Sequence, residues 1–401
     1  MYLYRQAFEP QSVVCDILLI MKRILLLTLT LFGSLCLDAQ VTGAQKAAAE
    51  AAKMVTDAPK VEAEVKKPQY WKKSLKTNIN LSQTSLTNWA AGGDNTISMA
   101  AYIDANANYA KAQHYWNNRL QLDYGFLYAS SKPIIQKNTD RIYLESKWGL
   151  KIPKAKNLSF AVKYDFRSQF STGYTYATPK LPEGQYEEGT KLEDIPIDHQ
   201  RDLWKAARVS KSGFLAPAYT NLAVGIDVKP TKWLTLNIAP VTGSIVIAKD
   251  PEFRKSYGMQ LKGKYEDLSL LPEAEKKKYE EDLATKDQSL IGQYYRSARF
   301  EFGAQLTADI KVNINNNFSY SSQFKLFSNY LDKPQNMRVN WDNRFDWKLA
   351  KYFSLTMTTN LIYDDKVMIK DDKDIERFPD GKQRVQFKET LAFGFTWTIA
   401  K

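Results

Sequence analysis

The stretch Trp116-Asn117-Asn118-Arg119-Leu120-Gln121-Leu122-Asp123-Tyr124-Gly125-Phe126-Leu127-Tyr128 decides how this chain is read. Its even positions are almost all apolar or aromatic, whereas the odd positions carry Asn117, Arg119, Gln121, Asp123 and Gly125. Successive side chains of a strand point to opposite faces, so the segment has one oily face and one wet face. From Leu75 to the C-terminus the pattern recurs about twelve times. It predicts strands near 74–82, 96–110, 115–129, 140–152, 158–170, 216–229, 233–243, 299–312, 318–330, 338–349, 353–364 and 384–400. Phe300, Phe302, Ala304, Leu306, Ala308, Ile310 and Val312 oppose Glu301, Gln305, Thr307, Asp309 and Lys311 in one of them. A domain built this way must hide its oily face in a protein core or in lipid.

Composition narrows that choice. Aromatic residues make up 13% of the 401 residues, yet the mean hydropathy is −0.44, the value of a soluble protein. No stretch after residue 40 is long and apolar enough for a transmembrane helix. Porin-type barrels combine these properties, because only every second residue faces lipid.

The first forty residues read as a processing segment. Met21-Lys22-Arg23 is a basic start and Ile24 to Phe32 an apolar run, with cleavage expected after Ala39. Residues 1–20 are read as lying ahead of the true start. Cleavage removes Cys15 and Cys36, so neither disulfides nor Cys-ligated metals enter the reading. Residues 40–70, rich in Ala, Lys and Glu, are expected to form a periplasmic extension or tether, and 71–401 the barrel. Charges within 1–39 cancel, leaving the formal net charge of +12 on the remainder. Lys and Arg are interspersed with acids along the strands, unlike the clustered basic face of a nucleic-acid binder. No nucleic-acid partner is expected.

The connections alternate as well. Short turns are expected near 111–114, 153–157, 230–232, 313–317 and 350–352, and longer loops near 83–95, 130–139, 171–215, 244–298, 331–337 and 365–383. Within 244–298, Pro272 to Leu283 predicts a helix with proline and acids in its first turn. Tight periplasmic turns, long external loops and an even strand number describe a bacterial outer-membrane barrel with its termini in the periplasm. A soluble β-sandwich also alternates, but strands of 11–15 residues exceed its usual length of about five or six. Aromatics also gather at the strand ends: Tyr109, Trp116, Trp233, Phe318, Trp347 and Phe353 on the short-turn side. Tyr128, Phe170, Tyr330, Trp341 and Tyr363 gather on the other. Two such belts belong at the two faces of a membrane, and a sandwich core gives no reason to sort them so. The expected fold is an all-β, transmembrane, antiparallel up-and-down barrel of about twelve strands.

Some segments carry a resemblance. Asn80 to Gly93 (Asn-Leu-Ser-Gln-Thr-Ser-Leu-Thr-Asn-Trp-Ala-Ala-Gly-Gly), Phe214 to Tyr219, Val224-Gly225-Ile226 and Trp233 to Pro240 resemble an uncharacterised family of Gram-negative outer-membrane barrels. That family is known as a domain of unknown function, and the similarity covers roughly residues 70–401. It implies fold and location but no activity. The chain departs from the common barrel ending, since Ile399-Ala400-Lys401 replaces a terminal aromatic. Recognition by the barrel-assembly machinery is expected to rest on Phe395 and Trp397.

Catalytic chemistry finds little footing. Beyond the processing segment the histidines are His114, expected in a short turn, and His199, expected in the loop 195–200, where adjacent Asp198 points elsewhere if the loop is extended. The Ser, His and Asn pattern of an outer-membrane phospholipase is absent from the strands, so no enzyme is expected. The loop Asp364 to Asp374, with Asp371 and Asp372, interleaves lysines and lacks EF-hand spacing, and is read as solvated. Asn88 to Asp94 has turn chemistry. No metal or cofactor is expected.

The wet face is the candidate functional surface. It carries Arg119, Asp123, Arg141, Glu145, Lys147, Lys163, Asp165, Arg167, Asp309, Lys311, Lys325, Asp342, Arg344, Asp346 and Lys348, near balance in sign. Such charges must pair or stay hydrated. A narrow pore and a cross-lumen network both meet that demand, and a twelve-stranded barrel lies between filled and open sizes. The expected role is a passive channel or small-solute transport protein. The alternative is a non-conducting structural or surface-interaction barrel whose loops 171–215 and 244–298 hold an unknown partner, with an outer-membrane enzyme such as a phospholipase ranked third. Membrane lipid is the remaining expected partner, contacted through interface aromatics Tyr109, Trp116, Tyr128, Trp233, Tyr330, Trp341, Trp347, Tyr363 and Trp397.

Overall fold

The computed structural model describes residues 69–84, 95–187, 189–369, 376–378 and 381–400. The processing segment, nearly all of the expected tether, Asn88 to Asp94 and Asp371, Asp372 and Asp374 lie outside them. Twelve antiparallel strands close into one barrel. They are β1 (Trp71–Thr84), β2 (Thr96–Lys111), β3 (His114–Ala129), β4 (Lys132–Lys151), β5 (Leu158–Ser168), β8 (Ala218–Val228), β9 (Leu234–Ile247), β10 (Ala298–Asn313), β11 (Phe318–Asn329), β12 (Met337–Lys348), β13 (Phe353–Tyr363) and β14 (Gln386–Ala400). A separate hairpin, β6 (Gly173–Tyr176) with β7 (Arg208–Ser212), interrupts the sequence between β5 and β8.

The decisive feature is which face points where. On β14, Leu391, Phe393, Phe395 and Trp397 are exposed on the outer wall. In the interior, Lys163 and Asp227 are 0% exposed and Asp165 only 2%. Burying charge while displaying Leu, Phe and Trp is costly in water and favourable in lipid, where strands close on themselves to satisfy every backbone group. The fold is that of an outer-membrane β-barrel.

One rim carries the connections 112–113, 152–157, 229–233, 314–317 and 349–352, together with the start of β1 and the end of β14. The opposite rim carries the long ones. Two corrections to the sequence reading arise there. The expected loop 130–139 is largely strand: β4 begins at Lys132 after a two-residue turn. Pro133, which has no N–H to give, falls where the β3–β4 register shifts between Tyr128 and Ala129. Segment 171–215, expected as a long connection, holds secondary structure of its own: the β6–β7 hairpin and helix α1 (Ile197–Ala206). His199 sits on that helix. Pro196 is its N-cap, and Asp198 in the first turn and Lys205 in the last match the helix dipole. Trp204 of α1 is buried beneath the Lys132 ammonium, 5.4 Å from its ring.

Loop 248–297 folds on itself. It contains α2 (Pro251–Arg254), α3 (Glu273–Ala284) and α4 (Gln288–Gly292). Pro272 caps α3, one residue earlier than a first-turn position. A core of Tyr265, Tyr279 and Tyr294 supports it, with Tyr294 meeting both partners edge-on at 4.7 Å. The hydroxyls remain satisfied: Tyr265 donates to Glu275 and Tyr294 to Asp282.

β9 bulges at Ala239–Val241, where both its neighbours shift register. Pro240 cannot donate to either ladder, and a Cβ on the facing Gly225 would lie 2.0 Å from the Ile238 carbonyl oxygen. Closure is made by β1 and β14, paired only over Ser74–Asn80 and Gly394–Ala400, whereas β1 pairs β2 from Trp71 to Thr84.

Candidate functional site in the barrel lumen

Strand parity delivers the charged residues to the interior, and register decides which of them meet. Arg119 on β3 grips Asp104 on β2 through two bonds of 3.0 and 2.6 Å, with the Tyr102 hydroxyl donating to the same carboxylate. Lys147 on β4 reaches over β5 to Asp227 on β8 at 2.8 Å. Asp227 also accepts from Tyr115 and Asn237. Lys163 pairs with Glu145 at 2.9 Å, and Tyr143 donates to that carboxylate at 2.6 Å. Lys147, Lys163 and Asp227 are buried in this network, whereas Tyr102, Arg119 and Tyr143 border open space.

Other pairs cross the lumen. Lys325 on β11 meets Asp165 on β5 at 2.7 Å, and Asn221 donates to the same oxygen. Arg141 on β4 holds neighbouring Asp123 at 2.9 Å and reaches Asp342 on β12 at 3.4 Å. Tyr143 donates to Gln323 of β11, whose amide donates to Asp309. Lys76 of β1 meets Asp346 of β12 at 2.8 Å, and Arg344 shares that carboxylate. Charges of opposite sign two residues apart on one strand therefore behave differently: Arg344 and Asp346 pair together, whereas Lys163 and Asp165 each take a partner on another strand.

A cavity of about 550 Å³ remains. Lys388, Asp364 and Gln386 line it near the long-loop rim, and Lys311, two residues before the end of β10, lines it at depth. Eight Lys or Arg and six Asp face it. Among the described residues Arg167, Lys311 and Lys388 have no carboxylate within ion-pair distance. Arg167 bonds Asn340 at 3.3 Å, and Lys388 bonds the Asn138 carbonyl and the Thr139 hydroxyl. Lys348 ends β12, exposed at the short-turn rim and outside the cavity lining.

Segments of two loops lie over the mouth. Tyr257 and Val367 line the cavity, and the Met368 N–H donates to the Ser256 carbonyl. Gly258 has φ +66°, and a Cβ there would come within 2.5 Å of the Lys366 carbonyl oxygen. Arg299 donates to the Tyr257 and Gly258 carbonyls. Lys366 in turn pairs with Asp332 of the β11–β12 loop. The Lys366 hydrogen bond holds the Asp332 carboxyl below the usual carboxylate range.

Most of the aromatics named from sequence lie near strand ends, whereas Trp341 stands inside β12. Trp116, Trp233, Trp347 and Trp397 are exposed toward the short-turn rim, and Tyr330 and Trp341 toward the other. Tyr109 packs on Trp71 at 5.2 Å. Tyr363 ends β13, and Tyr128 lies near the tip of the β3–β4 hairpin, beyond the register shift at Gly125. His114 opens β3 beside Trp148, and His199 on α1 lies 3.5 Å from the Tyr186 hydroxyl. Asp104, Asp227 and Lys76 were missed. They lie on β1, β2 and β8, strands on which the sequence reading named no wet-face charge.

A family model described as a protein of unknown function (DUF3078) matches residues 81–174. The chain resembles an uncharacterised outer-membrane barrel family. No curated protein sequence matches it. Among solved structures it is similar to the translocator domain of the autotransporter NalP from Neisseria meningitidis, at 5% identity and TM-score 0.30, covering 91% of this chain and 97% of that one. It is also similar to an outer-membrane channel from Pseudomonas putida F1, at 9% identity and TM-score 0.31, covering 86% and 100%. The NanC porin matches at 9% identity and TM-score 0.30, covering 82% and 99%.

Proposed function

We propose that this protein is a channel for small polar solutes in the bacterial outer membrane, with the short-turn rim in the periplasm and the long loops outside. One observation carries the reading: a single lumenal cavity touches Lys388 and Asp364 near one rim and the exposed Lys311 close to the other. Eight basic and six acidic residues in the lining favour solutes that are neutral, zwitterionic or weakly anionic over strong ion selectivity. The ion pairs spanning the lumen set the bore, and the segments around Tyr257 and Val367 narrow the entrance. The reading assigns no catalytic step. Assembly through the barrel-assembly machinery, with Phe395 and Trp397 as the recognised aromatics, belongs to the same proposal.

A second reading draws on the same wall-to-wall pairs. Lys325–Asp165 and Arg141–Asp342 also suit a non-conducting structural barrel whose folded loops bind a partner. Planar-bilayer recording of the purified, refolded protein separates the two. Discrete ion currents support the channel, and complete silence under all salts and voltages overturns it.

A further inference from the structure

The excess positive charge has an address. The five short connections contain Lys154, Lys156, Lys229, Lys232 and Lys351 and not one acidic residue. The strand ends beside them add Lys72, Lys73, Lys111, Lys151 and Lys348. All ten are exposed, and among the described residues none forms an ion pair. The nearest carboxylates, Asp227 and Asp346, face the lumen and are already held by Lys147, Lys76 and Arg344. A chain with net charge +12 therefore concentrates unneutralised lysines on a single rim.

Directly beside this ring the outer wall turns aromatic. Trp116, Trp148, Trp233 and Trp347 are exposed there, facing the lipid. Between two strand ends lies a groove of about 410 Å³ lined by Tyr109, Lys111, Ala112, His114, Trp116 and Trp148. Its walls are rings and its lip is cationic: Lys111 sits 5.0 Å over the Tyr70 ring and His114 packs 5.9 Å from Trp148. An apolar trough ending at an ammonium fits a molecule with an acyl chain at one end and an anion at the other.

We propose that the short-turn rim is a docking collar for anionic phospholipid headgroups, with the Lys111–His114 groove as its best-formed single site. Lysines near a bilayer surface are drawn to anionic headgroups, and their stems can lie on the apolar wall while the charge stays wet. The rings anchor the acyl side at the same depth. An acidic soluble protein would also meet the charge, but it would have no use for a lipid-facing trough beside it. The inference rests on the proposed orientation, which puts this rim in the phospholipid leaflet, and is independent of whether the barrel conducts.

Tryptophan fluorescence in vesicles of brominated lipid tests it. The refolded protein is placed in phosphatidylethanolamine vesicles with and without brominated phosphatidylglycerol, beside the variant K111Q/K151Q/K154Q/K156Q and its all-arginine counterpart. Heat-modified gel mobility confirms that each is folded. The expected result is a several-fold preference for phosphatidylglycerol that weakens with salt, falls toward unity in the glutamine variant and survives in the arginine one. Phosphatidylglycerol preference absent from the native protein, or unchanged in the glutamine variant, overturns the proposal. So does displacement by inorganic phosphate alone, which marks a free-anion site, or tight binding of polyglutamate without lipid preference, which marks an acidic protein partner. A conductance result of either sign leaves this readout unaffected.

Discussion

The Lys325 ammonium on β11 lies 2.7 Å from the Asp165 carboxylate on β5, tying together walls that are 160 residues apart in the chain. Only a barrel interior brings them face to face. Lys325→Met removes the tie and leaves Asp165 with Asn221 as its remaining neutral donor. The expected outcome is a higher single-channel conductance together with a stability loss of about 3–5 kcal/mol, the usual cost of stranding a buried charge. The charge-swapped double variant, Lys325→Asp with Asp165→Lys, restores both toward native values. Bilayer recording and urea unfolding followed by gel mobility measure the pair of effects.

Lys163 and Glu145 give the stability test without a change in bore. Lys163 is fully buried, so Lys163→Met is expected to cost about 3–5 kcal/mol. Adding Glu145→Gln removes the stranded charge and recovers most of that loss. The exposed Lys351→Met changes stability by no more than about 0.5 kcal/mol. Equal losses at Lys163 and Lys351 in urea titrations would refute the internal pairing.

At the mouth, Gly258 occupies left-handed backbone against Lys366. Gly258→Val adds about 1–2 kcal/mol of backbone strain, besides the clash with the Lys366 carbonyl. The segment is expected to lift from the 364–368 stretch. Faster proteolytic nicking near Tyr257 and larger current fluctuations report the change, and an unaltered nicking rate contradicts it.

Acid acts at the same place. Asp332 is held below the usual carboxylate range by Lys366, so the folded state binds its proton less readily than the unfolded chain. The contribution of the pair is full above the ordinary carboxylate range and disappears as pH falls through the depressed folded value. Nicking or gating of the mouth should therefore increase on acidification in that window, and Asp332→Asn should flatten the dependence. An identical pH profile in the variant assigns the effect elsewhere.

Orientation has a direct assay. Leu270→Cys, 80% exposed on the largest loop, is expected to react with an impermeant maleimide on intact cells. Lys232→Cys, in the 229–233 turn, is expected to react only after the outer membrane is permeabilised. The reverse pattern inverts the proposed topology and removes the collar from the phospholipid leaflet.

The fold was largely legible because parity is a local property. Phe300 to Val312 announces two faces without reference to any other strand, and all twelve expected barrel strands are present with shifted ends. The start of β4 was illegible for a local reason: Ser130-Ser131-Lys132-Pro133 carries loop chemistry, and only α1 packed against it reveals strand. The helix in 197–206 was missed because its flanking loop gave no long apolar period. In the lumen, sequence told which residues point inward but not which meet. Lys163 beside Asp165 suggests a pair along one strand, whereas the strand register gives Lys163 to Glu145 and Asp165 to Lys325. Partner choice is a property of the closed sheet, and no window along the chain contains it.

The joint between β1 and β14 also sets the mechanical character of the wall. A ring bears tension only as well as its weakest link, and here that link spans Ser74 to Asn80 while the β2–β3 ladder runs from Thr96 to Ala129 and Lys111 to His114. Above Asn80 and Gly394 the two strands carry no shared ladder. The hoop strength of the barrel is thus that of one short stitch, and any widening by heat, force or a bulky solute begins as a slit at that corner.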